Sequence, residues 1–234
     1  SIAQKLYEQG FITYMRTDST HLAQEARKEI GAEILKNFGK EYLQLRTFLV
    51  KSKTAQEAHE AIRPTAISKK TAGANDEQKK LYTLIRERAL ASQMADAKLL
   101  RTTIAANTEE KNAIPDFTAT GSVVMFPGWL EADPRSRGEE NELPRVAENE
   151  LLVLQNISSD EKQTEPPSRY TEAGLVKELE KREIGRPSTY ATIILTLLKR
   201  GYVEKLGKAL KPTDTGEVVS GFLETHFDKY ISDS

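Results

Sequence analysis

Tyr14, Arg16 and Asp18 alternate within Ile12-Thr13-Tyr14-Met15-Arg16-Thr17-Asp18-Ser19-Thr20. In an extended backbone, side chains two apart point to the same side, so these three would share one face. A phenol is a poor nucleophile at its ordinary pKa of about 10 and needs a nearby cation to stabilise the phenolate, or the charge that grows on a phosphate under attack. Arg16 is spaced to be that cation. A Tyr beside an Arg is a weak signal when it stands alone, because a strand Tyr next to a surface Arg is the commoner case. His59 lies in Glu57-Ala58-His59-Glu60-Ala61-Ile62-Arg63-Pro64-Thr65, where an imidazole can hydrogen-bond a phosphate oxygen or assist proton transfer. An isolated His is more often structural, and that reading is kept for His21 and His226. A third group comprises Arg169-Tyr170-Thr171-Glu172 and Gly185-Arg186-Pro187-Ser188-Thr189-Tyr190-Ala191. A helix starting at Ser188 would aim free N–H groups and its dipole at an anion flanked by Arg186 and Arg169. Tyr170 and Tyr190 can stack on bases, and Tyr190 can equally pack in a core.

The elements that carry these residues are legible as periodicities. Ala3 to Gln9 reads as a helix closed by Gly10, and Phe11 to Tyr14 as a short strand or extended segment. Leu22, Ala26, Ile30, Ile34 and Phe38 recur every four residues, which predicts an amphipathic helix ending at Gly39, with Asp18, Ser19 and Thr20 as N-cap candidates. Another helix starts near Asp76 and turns Leu81, Leu84, Ile85 and Ala89 inward. Leu100 to Ala105, Phe117 to Phe126 and Leu151 to Ile157 are short, β-prone and separated by breakers, which predicts a small antiparallel region. Acidic Glu131 to Glu150 has no period and reads as a solvated or mobile loop. After Pro166-Pro167, Thr171 caps a helix that stops at Gly185. Ser188 caps a second that buries Tyr190, Ile193, Ile194, Leu197 and Leu198 and ends at Gly201, and a hairpin turns at Gly207. Helix, turn, helix, hairpin describes a winged helix.

Composition narrows the chemistry. There are no cysteines among the 234 residues, which excludes disulfides, thiolate metal sites and a cysteine nucleophile. No Asp-x-Asp occurs, and no metal site is expected in the chain. No apolar run approaches a membrane span. The net charge of −1 is segregated: Glu165 to Pro212 holds ten Lys or Arg against six acids, which tilts that stretch toward a polyanion such as DNA.

Three long motifs in order carry a resemblance. Gly10 through Thr20 resembles the active-site tyrosine segment of the type IA DNA topoisomerases, Glu57 to Thr65 their second motif, and the Arg169 and Gly185 stretches a third. Met15, where other branches have Pro or His, is similar to the bacterial topoisomerase I branch. The resemblance implies that Tyr14 attacks a backbone phosphate of a single-stranded segment of negatively supercoiled DNA, forming a 5′-phosphotyrosyl link without ATP. Strand passage and religation follow. It implies that Arg16 holds the scissile phosphate and that His59 assists, with Asp18 as a possible support to His59 or a helix cap. It assigns Arg169, Tyr170, Thr171, Arg186, Ser188, Thr189 and Tyr190 to DNA binding.

The expected fold is α+β and mostly helical. Residues 1–97 are expected to form a helical, CAP-like tyrosine domain, 98–163 part of a β arch, and 164–234 a winged-helix-like base, with both ends cut from a longer protein. The parent's Mg²⁺ would be held by an N-terminal acidic (Toprim) domain, and zinc ribbons would follow at the C-terminus. The parent is expected to be a cytoplasmic, nucleoid-associated monomer, and the isolated stretch inactive. The competing reading is a non-enzymatic winged-helix DNA-binding module, which leaves the first 65 residues without a role. A tyrosine recombinase is argued against because Tyr14 precedes His59 and Arg63 falls one residue beyond an H-x-x-R spacing.

Overall fold

The computed structural model describes residues 1–48, 59–108 and 116–231, which divide into two compact units at Ser158/Ser159. The architecture is α+β. In the first unit, α1 spans Ile2–Glu8, α2 Gln24–Asn37, α3 Asp76–Ala91, β1 Lys98–Ala106 and β2 Phe117–Phe126. In the second, α4 spans Glu172–Lys181, α5 Tyr190–Lys199, β3 Val203–Leu206, β4 Ala209–Pro212 and α6 Asp214–His226.

α1 ends as the sequence demands. Gly10 adopts φ +73°, its N–H donates to Tyr7 O, and Phe11 N–H donates to Leu6 O, the paired bonds that close a helix on a left-handed residue. This stop turns the chain sharply and delivers Ile12, fully buried with Leu6, Ala72 and Tyr82, to the base of the tyrosine segment. α2 lays Ala26, Ile30 and Ile34 against α3 residues Ala89, Leu90 and Ala91 and against Met94, just past its end. The expected inward Leu84 is instead exposed, and Tyr82 takes the buried place, its hydroxyl donating to Ala66 O and Lys69 O. A phenol can be buried where its O–H finds acceptors, and the loop carbonyls provide them.

Glu33 and Arg86 form an ion pair between α2 and α3 at 2.8 Å, with side-chain exposures of 9% and 13%, and Arg86 Nε also donates to Ile67 O. Removing one partner strands a desolvated charge. Arg86→Ala is therefore expected to lower unfolding stability by about 3 kcal/mol or more, and the double replacement Glu33→Leu/Arg86→Met by less, measured by denaturant unfolding.

β1 and β2 pair antiparallel over their full length, with Asn141 bridged to Ser122 on the outer side of β2. Leu151 to Ile157 does not form the expected third strand: it is coil, with Leu151 and Val153 89% and 87% exposed. β propensity becomes a strand only against a partner edge, and among the described residues this segment is paired with none. The acidic stretch is more ordered at its start than expected. Short 3-10 turns at Gly128–Glu131 and Pro134–Ser136 bury Leu130, Ala132 and Asp133.

In the second unit, Thr171 caps α4 as predicted, accepting from Gly174 N–H. The helix stops at Lys181, earlier than Gly185, because Glu183 takes the left-handed conformation (φ 57°) and Ile184 N–H returns to Leu179 O. α5 ends at Gly201 as expected. The β3–β4 hairpin turns at Gly207, and Leu210 N–H donates to Tyr170 O, so the entry to α4 lies along β4. α6 had no counterpart in the sequence reading. Thr213 caps it through Gly216 N–H and also donates its hydroxyl to Gly201 O. A Cβ at Gly216 would sit 2.1 Å from Tyr202 O, so only glycine permits this docking.

Candidate active site

Two segments about fifty residues apart are laid against each other. Thr13 N–H donates to Arg63 O at 2.9 Å, Thr65 N–H to Phe11 O at 3.0 Å, and Ile12 bridges Pro64 antiparallel. The Thr13 hydroxyl donates to Ala61 O at 2.7 Å and accepts from Arg63 N–H at 2.9 Å. The tyrosine segment is thus extended and paired at single points, not a regular strand, and its conformation is imposed by the second motif. Glu57 and Ala58 of that motif lie outside the described residues.

This pairing brings Tyr14 and His59 together, with ring centroids 5.3 Å apart and planes at 57°. Tyr14 also receives Tyr7 of α1 edge-on at 5.4 Å and 73°. Tyr14 is half-buried, and among the described residues no hydrogen bond engages its hydroxyl. His59 Nδ1 is buried without a hydrogen-bond partner among the described residues, an arrangement that costs free energy until a donor or acceptor arrives. Arg16 is exposed and, among the described residues, tied up in neither ion pair nor hydrogen bond, so its five-donor fork is available to an anion.

Asp18 does not take either place suggested for it: no hydrogen bond joins it to His59 among the described residues, and it does not cap α2. The α2 cap position is Ala23, five residues later, and its N–H is satisfied from outside by Glu60 Oε1 at 2.9 Å. Ser19 and Thr20 do not cap either, and Thr17 and Ser19 spend their hydroxyls on the turn, accepting from Ser19 and His21 N–H.

Glu60 is the residue the sequence reading passed over. Its carboxylate receives Arg63 Nε and Nη2 as a two-pronged fork at 2.8 and 2.9 Å. Burial would raise its pKa, but the Arg63 hydrogen bonds, the Ala23 amide and the Arg63 charge outweigh that and hold it below 4.5. A carboxyl lowered on folding stabilises the fold above its unfolded value and loses that contribution as pH falls through the lowered one. The fork therefore stays closed at neutral pH. Its Glu at i and Arg at i+3 were the only available signal, and such pairs are common on any surface.

The third-motif residues lie in the second unit. Arg169, Tyr170 and Thr171 are exposed at the entry to α4. α5 begins at Tyr190 with Thr189 as its cap position, not at the expected Ser188, because the Thr189 hydroxyl folds back to accept from Arg186 N–H at 2.8 Å. Arg186 and Ser188 are exposed beside that turn, and Tyr190 is half-buried on the apolar face of α5. Among the described residues, no group of three or more His, Asp or Glu is arranged to hold a metal ion, and no helix is long and apolar enough to cross a membrane.

The family model described as DNA topoisomerase matches residues 1–234. DNA topoisomerase 1 of Streptomyces coelicolor is 46% identical over 98% of this chain, and that of Mycobacterium tuberculosis 42% identical over 99%. Full-length topoisomerase I from Thermotoga maritima superposes with a TM-score of 0.78 at 36% identity, covering 99% of this chain and 39% of that one. The chain spans about a quarter of the length of the curated relatives it matches. With the family model matching its whole length and relatives more than 40% identical over nearly all of it, the chain belongs to the type IA DNA topoisomerase family.

Proposed function

We propose that this chain supplies the strand-cutting half of a topoisomerase that changes the topology of DNA by relaxing negative supercoils. Tyr14 is the nucleophile. Its phenolic oxygen forms a bond to a backbone phosphorus while the P–O3′ bond breaks; the phenol gives up its proton and the departing 3′ oxygen gains one. One phosphodiester replaces another, so the strand can be resealed by the reverse step without ATP. Arg16 clamps the phosphate oxygens with paired donors, and His59 offers its unpartnered Nδ1 to a phosphate oxygen or a migrating proton. The observation that carries this reading is the 5.3 Å approach of Tyr14 and His59 from distant segments, with an uncommitted arginine two residues from the tyrosine.

Magnesium chemistry belongs to the same reading, with the ion held by an acidic domain of the longer protein. The substrate is a single-stranded segment, the longer protein acts as a cytoplasmic monomer on the nucleoid, and the stretch alone is inactive. Tyrosine domain 1–97, arch 98–163 and base 164–234 are the corresponding working parts. Arg169, Tyr170, Thr171, Arg186, Ser188, Thr189 and Tyr190 line the DNA-binding face of the base.

The reading is tested by incubating the full-length protein with Mg²⁺ and end-labelled single-stranded DNA, quenching with denaturant, and mapping the labelled peptide. Label on the peptide containing Tyr14 supports it; label elsewhere overturns it. Phosphate contacts also predict a salt dependence. Affinity for a single-stranded oligonucleotide should fall log-linearly with salt, and Arg186→Ala should reduce the slope by about one while weakening binding for every base sequence alike, measured by fluorescence anisotropy.

A further inference from the structure

The geometry points to Glu60, Arg63 and Thr13 as positioning residues that hold Tyr14 and His59 at reacting distance. This inference rests on Tyr14 being the nucleophile. His59 and Tyr14 sit on different segments, and neither is hydrogen-bonded to the other. What fixes their separation is the main chain on either side. From the α2 side, Glu60 Oε1 accepts Ala23 N–H, and Ala61 N–H donates to His21 O at 2.7 Å. From the tyrosine side, the Thr13 hydroxyl donates to Ala61 O and accepts Arg63 N–H, and Thr13 N–H reaches Arg63 O. Arg63 closes the frame by forking onto Glu60 and donating Nη1 to Pro64 O at 2.9 Å.

Residue 60 follows His59 and residue 13 precedes Tyr14, so each holds a reacting residue by its adjacent peptide. The Glu60 and Arg63 side chains are 23% and 17% exposed, which shields the fork from competing water. Rate is steeply sensitive to such geometry: a misplacement near 1 Å costs about a hundredfold. Affinity for DNA, set by exposed cations elsewhere, is not.

The test uses the full-length protein with Mg²⁺ and a labelled single-stranded oligonucleotide. Glu60→Gln keeps the shape and one acceptor but loses the charged fork. Thr13→Val keeps the volume and loses the hydroxyl, and Thr13→Ser restores it. Single-turnover formation of the covalent adduct should slow about tenfold or more in Glu60→Gln and Thr13→Val, with most of the rate recovered in Thr13→Ser and oligonucleotide Kd within about twofold throughout. Circular dichroism melting is run alongside. Should Glu60→Gln fail to fold, the Thr13 pair alone decides. Wild-type adduct rates in Thr13→Val, or Thr13→Ser as slow as Thr13→Val, overturn the positioning role. An adduct that persists in a Tyr14→Phe control overturns the nucleophile reading beneath it; Tyr14→Phe inactive beside a fully active Thr13→Val overturns only the positioning.

Discussion

Tyr14→Phe in the full-length protein is expected to abolish covalent capture of single-stranded DNA, a loss on the order of 10⁴-fold or more, while oligonucleotide affinity and melting temperature barely move. The structure makes this a clean experiment. Among the described residues no hydrogen bond engages the Tyr14 hydroxyl, so deleting it breaks none. The ring contacts with Tyr7 and His59 are made by carbon faces and edges that phenylalanine retains. A fall in affinity or stability would mean that the phenol has a structural role. Covalent capture in the variant would place the nucleophile elsewhere.

Arg16→Lys should reduce the single-turnover cleavage rate by about 10²-fold, with a smaller loss in binding. Both residues carry one positive charge, but lysine presents a point charge on a flexible stem where arginine presents a planar fork that meets two phosphate oxygens at once. One well-placed donor to a developing oxyanion contributes about 3 kcal/mol, and only the fork delivers it without further ordering at the moment of reaction. Arg16 is exposed and holds no other group among the described residues, so the substitution disturbs no native contact. Equal rates for the two side chains would reduce Arg16 to general electrostatic attraction, which should then weaken with salt to the same extent in both.

The parts of the fold that were legible are those where local chemistry decides. Gly10 and Gly201 end helices because glycine adopts at no steric cost the positive φ from which its N–H donates a closing bond, and Thr171 caps α4 with its own hydroxyl. Where distant segments decide, the sequence misleads. Ala23 opens α2 without a side-chain cap because Glu60, thirty-seven residues away, supplies the acceptor, whereas Asp18 to Thr20 offered three plausible local caps. Leu151 to Ile157 has every local feature of a strand yet pairs with no edge among the described residues. Glu183 ends α4 ahead of Gly185, its positive φ letting the Ile184 N–H return to Leu179 O although the residue is not glycine. At the site, Tyr14, Arg16 and His59 were identifiable as residue types in long motifs. The frame of Thr13, Glu60 and Arg63 was not, because threonine, glutamate and arginine at those spacings occur on any solvated surface.

The fifty-residue span between Thr13 and Arg63 also has a consequence during synthesis. At roughly 5–20 residues per second, several seconds separate the emergence of Tyr14 from that of the segment that shapes it. Through that interval the nascent chain carries an ordinary tyrosine in flexible surroundings, with no imidazole beside it. Closing the loop carries an entropic cost that grows only slowly with its length, about 0.6 kcal/mol per doubling, so the delay is one of timing more than of stability. Until the second motif has been made, the tyrosine segment therefore lacks the partner that imposes its extended conformation.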